Sequence, residues 1–295
     1  MKNCYLPQTT YHFFQNKIFI FLLTTFVFFT SSVSFATDTT ATTRVLLTND
    51  DGIESTELAI LATELQKHFD VVISAPRKNQ SGSSQATTSR VPLIVEKIFI
   101  DDNFFGFGVN GRPADAVTFG LTVLGKEKPF DIVVSGINRG ANVGAVSHLS
   151  GTVGAAMQAQ YLGYASIATS QGSRADTQLT ASITVDVLNK MIAEGIPKGT
   201  VVSINVPSGQ PKGIVVKPMG GSFIGITPFT IISSNEEAHT TTYQNSITLT
   251  APEKEDNDTK AYQEGYVTIT PLRFDWTDET RLKELTNWDL SLPEK

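Results

Sequence analysis

The stretch Arg44-Val45-Leu46-Leu47-Thr48-Asn49-Asp50-Asp51-Gly52 decides the fold class. Val45, Leu46 and Leu47 read as a buried strand, because an unbroken apolar run leaves no polar side for water. Asn49 and Gly52 are turn residues, and Leu58, Leu61, Leu65 and Phe69 then recur with the helical period. A strand, a turn and a helix in this order put Asp50 and Asp51 at the carboxyl edge of a sheet, where open α/β folds hold their ligands. Adjacent carboxylates disfavour each other's ionisation unless a cation or strong donors compensate them. Two readings of the pair follow: ligands of a divalent metal, or a solvated turn in which one acid caps the next helix.

The alternation continues along the chain. Residues 71–75 form a second buried strand that ends at Pro76, and Pro113 suits the first turn of a helix running to Leu124. Residues 131–135 give another strand, Gly151–Tyr161 a helix of small residues stopped by Gly163, and residues 165–169 a further strand. Leu179, Ile183, Val187 and Met191 mark an amphipathic helix ending at Gly195, ahead of a strand over Val201–Val206. Repeated strand-helix-strand units predict a mainly parallel sheet covered on both faces. Strand-like runs at residues 214–217, 246–250 and 266–270 predict a β-rich extension instead of another helical layer. The expected division is a spacer at 37–43, a core at 44–206 and the extension at 207–295. The charged, turn-rich residues 253–259 are expected to form an exposed loop.

Residues 1–36 carry only two charges, Lys2 and Lys17, and residues 18–29 are almost wholly apolar. Ser34 and Ala36 stand at the two positions a signal peptidase reads, so a cleaved secretory signal is expected, with a mature chain starting at Thr37 and working in the periplasm or outside the cell. The apolar run is shorter than the roughly 20 residues a spanning helix needs; an uncleaved anchor is the alternative. The one cysteine, Cys4, precedes that run. The processed chain would hold no thiol, which excludes disulfides, thiolate metal sites and a cysteine nucleophile. Losing Lys2 and Lys17 would take the formal net charge from −6 to −8, which argues against a nucleic-acid partner.

Three more stretches follow expected strands and open at the same sheet edge. Residues 76–84, Pro-Arg-Lys-Asn-Gln-Ser-Gly-Ser-Ser, offer hydroxyls and two cations, or simply a solvated loop. Residues 135–144, Ser-Gly-Ile-Asn-Arg-Gly-Ala-Asn-Val-Gly, form a glycine-rich loop that permits close backbone approach to a ligand, although glycine serves plain turns equally well. Ser150-Gly151-Thr152 opens a helix, and its serine is either a cap or part of an anion site.

Thr48-Asn49-Asp50-Asp51-Gly52, Ala75-Pro76 with Asn79-Gln80-Ser81-Gly82, Pro113-Ala114-Asp115, Ser135-Gly136-Ile137-Asn138 and Ser150-Gly151-Thr152-Val153 together resemble the survival protein SurE family of metal-dependent nucleoside-monophosphate phosphatases. All five occur in the family's order, and the likeness is strong over residues 44–170. It is weaker beyond, through Asn205-Val206-Pro207 and residues 265–272.

The resemblance implies a Rossmann-like three-layer α/β/α sandwich with a smaller β-rich C-terminal extension, and a homodimer or homotetramer built through that extension. It implies hydrolysis of a nucleoside monophosphate by metal-activated water, with Asp50, Asp51 and Asn138 as catalytic residues. Asp50, Asp51, Ser81 and Asn138 would hold one divalent cation. All four are hard oxygen donors, which favours Mg²⁺ or Mn²⁺, with Ca²⁺ a less active occupant. Asn49, Gly82, Asn142, Ser150, Gly151 and Thr152 would surround the substrate phosphate. A bulky side chain at Gly151 is then expected to block the anion without touching the metal ligands.

Glu54-Ser55-Thr56-Glu57 departs from the family's His-Ala-Pro-Gly-like stretch, as do Arg112, Ala116, Ala145, Val146 and Leu149 from residues common at their positions. These departures are expected to alter the pocket rim and substrate preference. His68 and His239 read as solvated surface residues; His148 is either a proton donor to the leaving oxygen or a rim residue with no catalytic part. A different class of function, an exported protein that binds a phosphorylated small ligand without turnover, would share this composition. A metal-stabilised structural domain would share it too.

Overall fold

The computed structural model describes residues 42–195, 199–288 and 290–292. The expected signal at 1–36 and most of the spacer lie outside the described residues. In chain order the elements are β1 (Arg44–Thr48), α1 (Thr56–Gln66), β2 (Asp70–Pro76), β3 (Val95–Ile100), β4 (Asn103–Val109), α2 (Pro113–Phe119), β5 (Ile132–Arg139), α3 (Gly151–Tyr161), β6 (Ala165–Gln171), α4 (Thr177–Glu194) and β7 (Val201–Val206). There follow β8 (Ile214–Val216), β9 (Ile224–Ile226), β10 (Thr230–Asn235), β11 (Thr240–Gln244), β12 (Ile247–Leu249), α5 (Asp258–Gln263), β13 (Val267–Leu272) and α6 (Glu279–Thr286).

Nine strands make one sheet in the order β3-β4-β2-β1-β5-β6-β7-β13-β8. From β4 to β7 every neighbour is parallel, while β3 pairs antiparallel at one edge and β13 antiparallel to β7 near the other. The period of two along β1 separates the layers. Val45 and Leu47 pack with Leu58, Leu61 and Leu65 of α1 and with Ala181 and Leu188 of α4. Leu46 packs on the opposite face with Val117 of α2 and with Ala155 and Ala159 of α3. The α/β/α sandwich read from the sequence is the architecture found.

Four stretches differ from the sequence reading. The backbone after Ser135 remains strand, and β5 reaches Arg139 with an irregular register between Ser135 and Asn138. Gly136 is required there, since a β-carbon would sit 2.5 Å from the Thr169 carbonyl oxygen on β6. The helix expected through Leu124 ends at Phe119, and residues Gly120–Leu124 wind more widely as a π-helical turn. Residues 207–295 are β-rich as read, with strands at 214–216, 247–249 and 267–272, but β8 and β13 join the central sheet while β9 to β12 form two separate two-stranded sheets. The stretch expected as an exposed loop has Asn257, Asp258 and Thr259 buried. Asp258 draws them in, because its carboxylate accepts N–H bonds from Gly144 at 3.1 Å and Gly220 at 2.7 Å and a hydroxyl from Thr270 at 3.2 Å. Among the described residues no helix is long and apolar enough to cross a membrane.

Candidate active site

The carboxyl ends of β1, β2 and β5 converge because parallel strands in one sheet open at one edge. The loop after β2 is drawn over β1 when the Gln80 N–H donates to the Asp50 carbonyl at 2.7 Å. Gly52, at φ +104°, lets that loop pass, for a β-carbon would lie 3.2 Å from the Lys78 backbone. Asn49 fastens the turn itself: its amide donates to the Gly52 carbonyl at 2.9 Å and to Ser55 Oγ at 3.0 Å, and its oxygen accepts from the Gly52 N–H. Asn49 is fully buried and its amide is directed at this turn.

Asp50 is 2% exposed, and the Thr152 hydroxyl donates to its Oδ1 at 2.5 Å. The first turn of α3 therefore points at this carboxylate. Gly151 runs directly beside it, where a β-carbon would meet Asp50 Oδ2 at 2.8 Å and Ser83 Oγ at 2.7 Å. This corrects the expectation that the anion and metal positions are separable at residue 151, since any side chain there displaces Asp50. Burial pushes the Asp50 carboxyl up to about 6; Thr152 partly offsets the rise, and the neighbouring Asp51 adds to it. Asp51 is more open. Its Oδ1 accepts from Asn79 Nδ2 at 2.9 Å and its Oδ2 from the Arg139 N–H at 3.1 Å. Its carboxyl is also raised, first by burial, with Glu57 adding to the rise and Arg139 opposing it.

The remaining residues singled out from the sequence divide into two groups. Ser81 is exposed on the loop that holds Asp51, its N–H donating to Asn79 Oδ1 at 2.9 Å, and Gly82 follows it at φ +75°. Asn138 donates its amide to the Gly140 carbonyl at 2.6 Å, which turns its own carbonyl oxygen the other way. Its neighbour Arg139 carries the contact to Asp51. Asn142 faces elsewhere, in a buried network where its N–H donates to Asn205 Oδ1 and its amide to Ser170 Oγ, each at 2.8 Å. Ser150 caps α3 by accepting from the Val153 N–H at 3.1 Å.

Among the altered family positions, Glu54 pairs with Arg77 at 2.8 Å, Arg112 donates to Gln80 Oε1 at 2.7 Å, and Glu57 pairs with Arg139. His68 and His239 are exposed, as expected. His148 is exposed too, with its ring edge-on to Trp276 at 5.8 Å between centroids. Asn79, Ser83, Glu57 and Arg139 join the site without a sequence signal of their own: each lies in a stretch that the sequence brings to the sheet edge, but nothing in its spacing separates it from its neighbours.

Several features suit a cation here. Asp50 and Asp51 are consecutive carboxylates whose charge burial disfavours, and Ser83 Oγ is buried near Asp50 without a hydrogen-bond partner. Among the described residues no three His, Cys, Asp or Glu side chains gather, so further donors would be neutral oxygens such as those of Ser81 and Asn138. One helical turn along α3 from Gly151 lies a cleft of about 280 Å³, lined by Ser84, His148, Gly154, Met157, Met219 and Trp276 among others.

The family described as "Survival protein SurE" matches residues 45–224 of this sequence. The chain belongs to the SurE family. Relatives named 5'-nucleotidase SurE include one from Thermoanaerobacter sp. (strain X514), 33% identical over 254 residues that span 84% of this chain and 99% of that protein. Another, from Petrotoga mobilis, is 35% identical over 265 residues, 83% of this chain and 98% of its own length. The crystal structure of the SurE protein from Aquifex aeolicus superposes with a TM-score of 0.70 at 33% identity, covering 82% of this chain and 98% of that one. Its likeness covers the sandwich and supports the SurE assignment independently of the short motifs.

Proposed function

We propose that this SurE-family chain is a divalent-metal-dependent phosphatase that hydrolyses nucleoside monophosphates. The observation that carries the reading is the Asp50 and Asp51 pair at the sheet edge, held by Thr152 on one side and by Asn79 and the Arg139 N–H on the other. The names of the relatives add the substrate class.

Asp50 and Asp51, with Ser81 and Asn138, are the residues that would hold one Mg²⁺ or Mn²⁺. Bound there, such an ion polarises phosphoryl oxygens and lowers the pKa of a coordinated water. The chain's own groups orient the reactants. Thr152 fixes the carboxylate of Asp50, Asn79 and Arg139 fix both oxygens of Asp51, and Gly151 lets the start of α3 lie directly against Asp50 and Ser83 Oγ. The nucleoside is assigned to the cleft along α3, whose apolar floor of Met157 and Met219 and aromatic wall of Trp276 suit a base. Export by a cleaved signal belongs to the same proposal and rests on the pattern of residues 18–36. A binding protein without turnover has less support, because two acids repel a phosphorylated ligand unless a cation stands between them.

The test is phosphate release from AMP with and without Mn²⁺, in the parent and in Asp51→Asn. The parent is expected to turn over only with the metal. Asp51→Asn should keep its circular dichroism while losing most Mn²⁺ affinity in calorimetry and nearly all turnover. Unchanged affinity together with an unchanged rate would overturn the assignment.

A further inference from the structure

Glu57 occupies the first turn of α1, within the stretch that departs from the family pattern, and its carboxylate is 10% exposed. An acid in a first helical turn is ordinarily explained by the helix dipole, and such acids usually stay in water. Glu57 does not. Arg139 reaches across from the end of β5 and gives it two hydrogen bonds, Nε at 2.9 Å and Nη2 at 2.5 Å, both to Oε1. The arginine is itself 64% exposed, so the pair joins a fixed acid to a cation with room to move. The backbone N–H of the same arginine donates to Asp51 Oδ2. One residue thus touches Asp51 through its main chain while its charge is turned away to Glu57.

A guanidinium set free at this point has Asp51 as an adjacent carboxylate partner, and Arg forms forked bonds to carboxylates readily. It would neutralise the acid that the cation needs. We infer that Glu57 is a positioning residue that withholds the Arg139 guanidinium from Asp51, keeping that carboxylate available to a divalent cation. The inference rests on the metal reading of Asp50 and Asp51 given above. It separates two roles that Arg139 combines: orientation of Asp51 through the N–H, and competition for Asp51 through the side chain.

The experiment is a double-mutant cycle in Mn²⁺ affinity, measured by calorimetry on the metal-free protein, with a thermal melt of every variant. The proteins are the parent, Glu57→Gln, Arg139→Gln and the double variant. Glu57→Gln is expected to weaken Mn²⁺ binding by about tenfold or more, the size usual for residues that support a metal ligand. Arg139→Gln alone should change affinity by less than about twofold, within the scatter of independent sites. The double variant should return to within about twofold of the parent, because no guanidinium remains to compete. If Glu57→Gln does not fold, Glu57→Asp takes its place, keeping the charge but shortening the reach.

Additive effects, with Arg139→Gln raising affinity equally in both backgrounds, would show only long-range charge and overturn the inference. So would parent-like Mn²⁺ affinity in Glu57→Gln with a lowered melting temperature, the signature of an acid that serves α1 alone. A parent that binds no Mn²⁺ overturns the metal reading itself. A parent that binds while the cycle shows no coupling overturns this inference and leaves the metal reading standing.

Discussion

Asp50 is ionised only against the burial that lifts its carboxyl from 3.8 to about 6. A carboxylate whose folded pKa is raised contributes stability that is present below the unfolded value and is lost as pH rises through the folded one. For the metal-free protein the loss falls between pH 4 and 6 and amounts to about 3 kcal/mol from Asp50. Asp51 shifts in the same direction. Asp50→Asn keeps an oxygen to accept the Thr152 hydroxyl and carries no charge, so its stability relative to the parent should climb across that window and level off above about pH 7. Urea unfolding in the presence of a chelator at several pH values measures it. A difference that stays flat from pH 4 to 7 would refute the assignment of the strain to Asp50. Protons and metal compete for the same oxygens, so Mn²⁺ affinity should fall as pH drops through about 6. At this scale the sequence exposed the acids and the motif residues but not their holders. Asn79 reaches Asp51 from the loop after β2 and Arg139 from the end of β5, and Thr152 read as a phosphate contact although its hydroxyl is committed to Asp50.

The elements that carry the site were legible where a periodicity forced one answer. Buried parallel strands leave continuous apolar runs, so β1, β2, β5, β6 and β7 were visible, and α1 and α4 showed their apolar stripes. The hairpin β3–β4 was not. Its inner strand carries Gly106 and Gly108, and glycine weakens a strand signal, yet a β-carbon at 106 would stand 2.7 Å from Ile73 Cβ, so glycine is what lets β4 lie against β2. A charge-rich stretch read as solvent likewise concealed Asp258, the tie between α5 and the loop that leads from β5 to α3. Asp258→Ala removes the acceptor of the Gly144 and Gly220 N–H groups and leaves them unpaired, which should cost about 2–4 kcal/mol. The loop from Gly144 to Ser150 would loosen with it. Hydrogen exchange should therefore rise at residues 140–150 and at α5 together, whereas exchange confined to α5 would show that the tie does not support the site.

At the scale of the whole molecule, residues 224–288 present apolar surface that the other described residues do not cover. Ile231, Ile247, Leu249 and Trp288 are all largely exposed, and β9 to β12 form two-stranded sheets of the kind that are marginal in water without a surface to pack on. Residues 246–250, which hold β12, read as a strand, but β9, β10 and β11 carried little signal, because exposed strands lack the alternation that burial imposes. A second copy of the chain is the occupant that the family resemblance proposes, as a homodimer or homotetramer. Light scattering on the purified protein should then give a mass two or four times that of one chain. Ile231→Asp with Ile247→Asp places charges in the proposed contact, where no partner acid or base awaits them, and should shift the protein to monomers without changing its helix content. AMP hydrolysis by that monomer would then show whether Asp50, Asp51 and the cleft along α3 suffice within one chain. A parent that is monomeric at every concentration tested would remove self-association as the reason for this apolar surface.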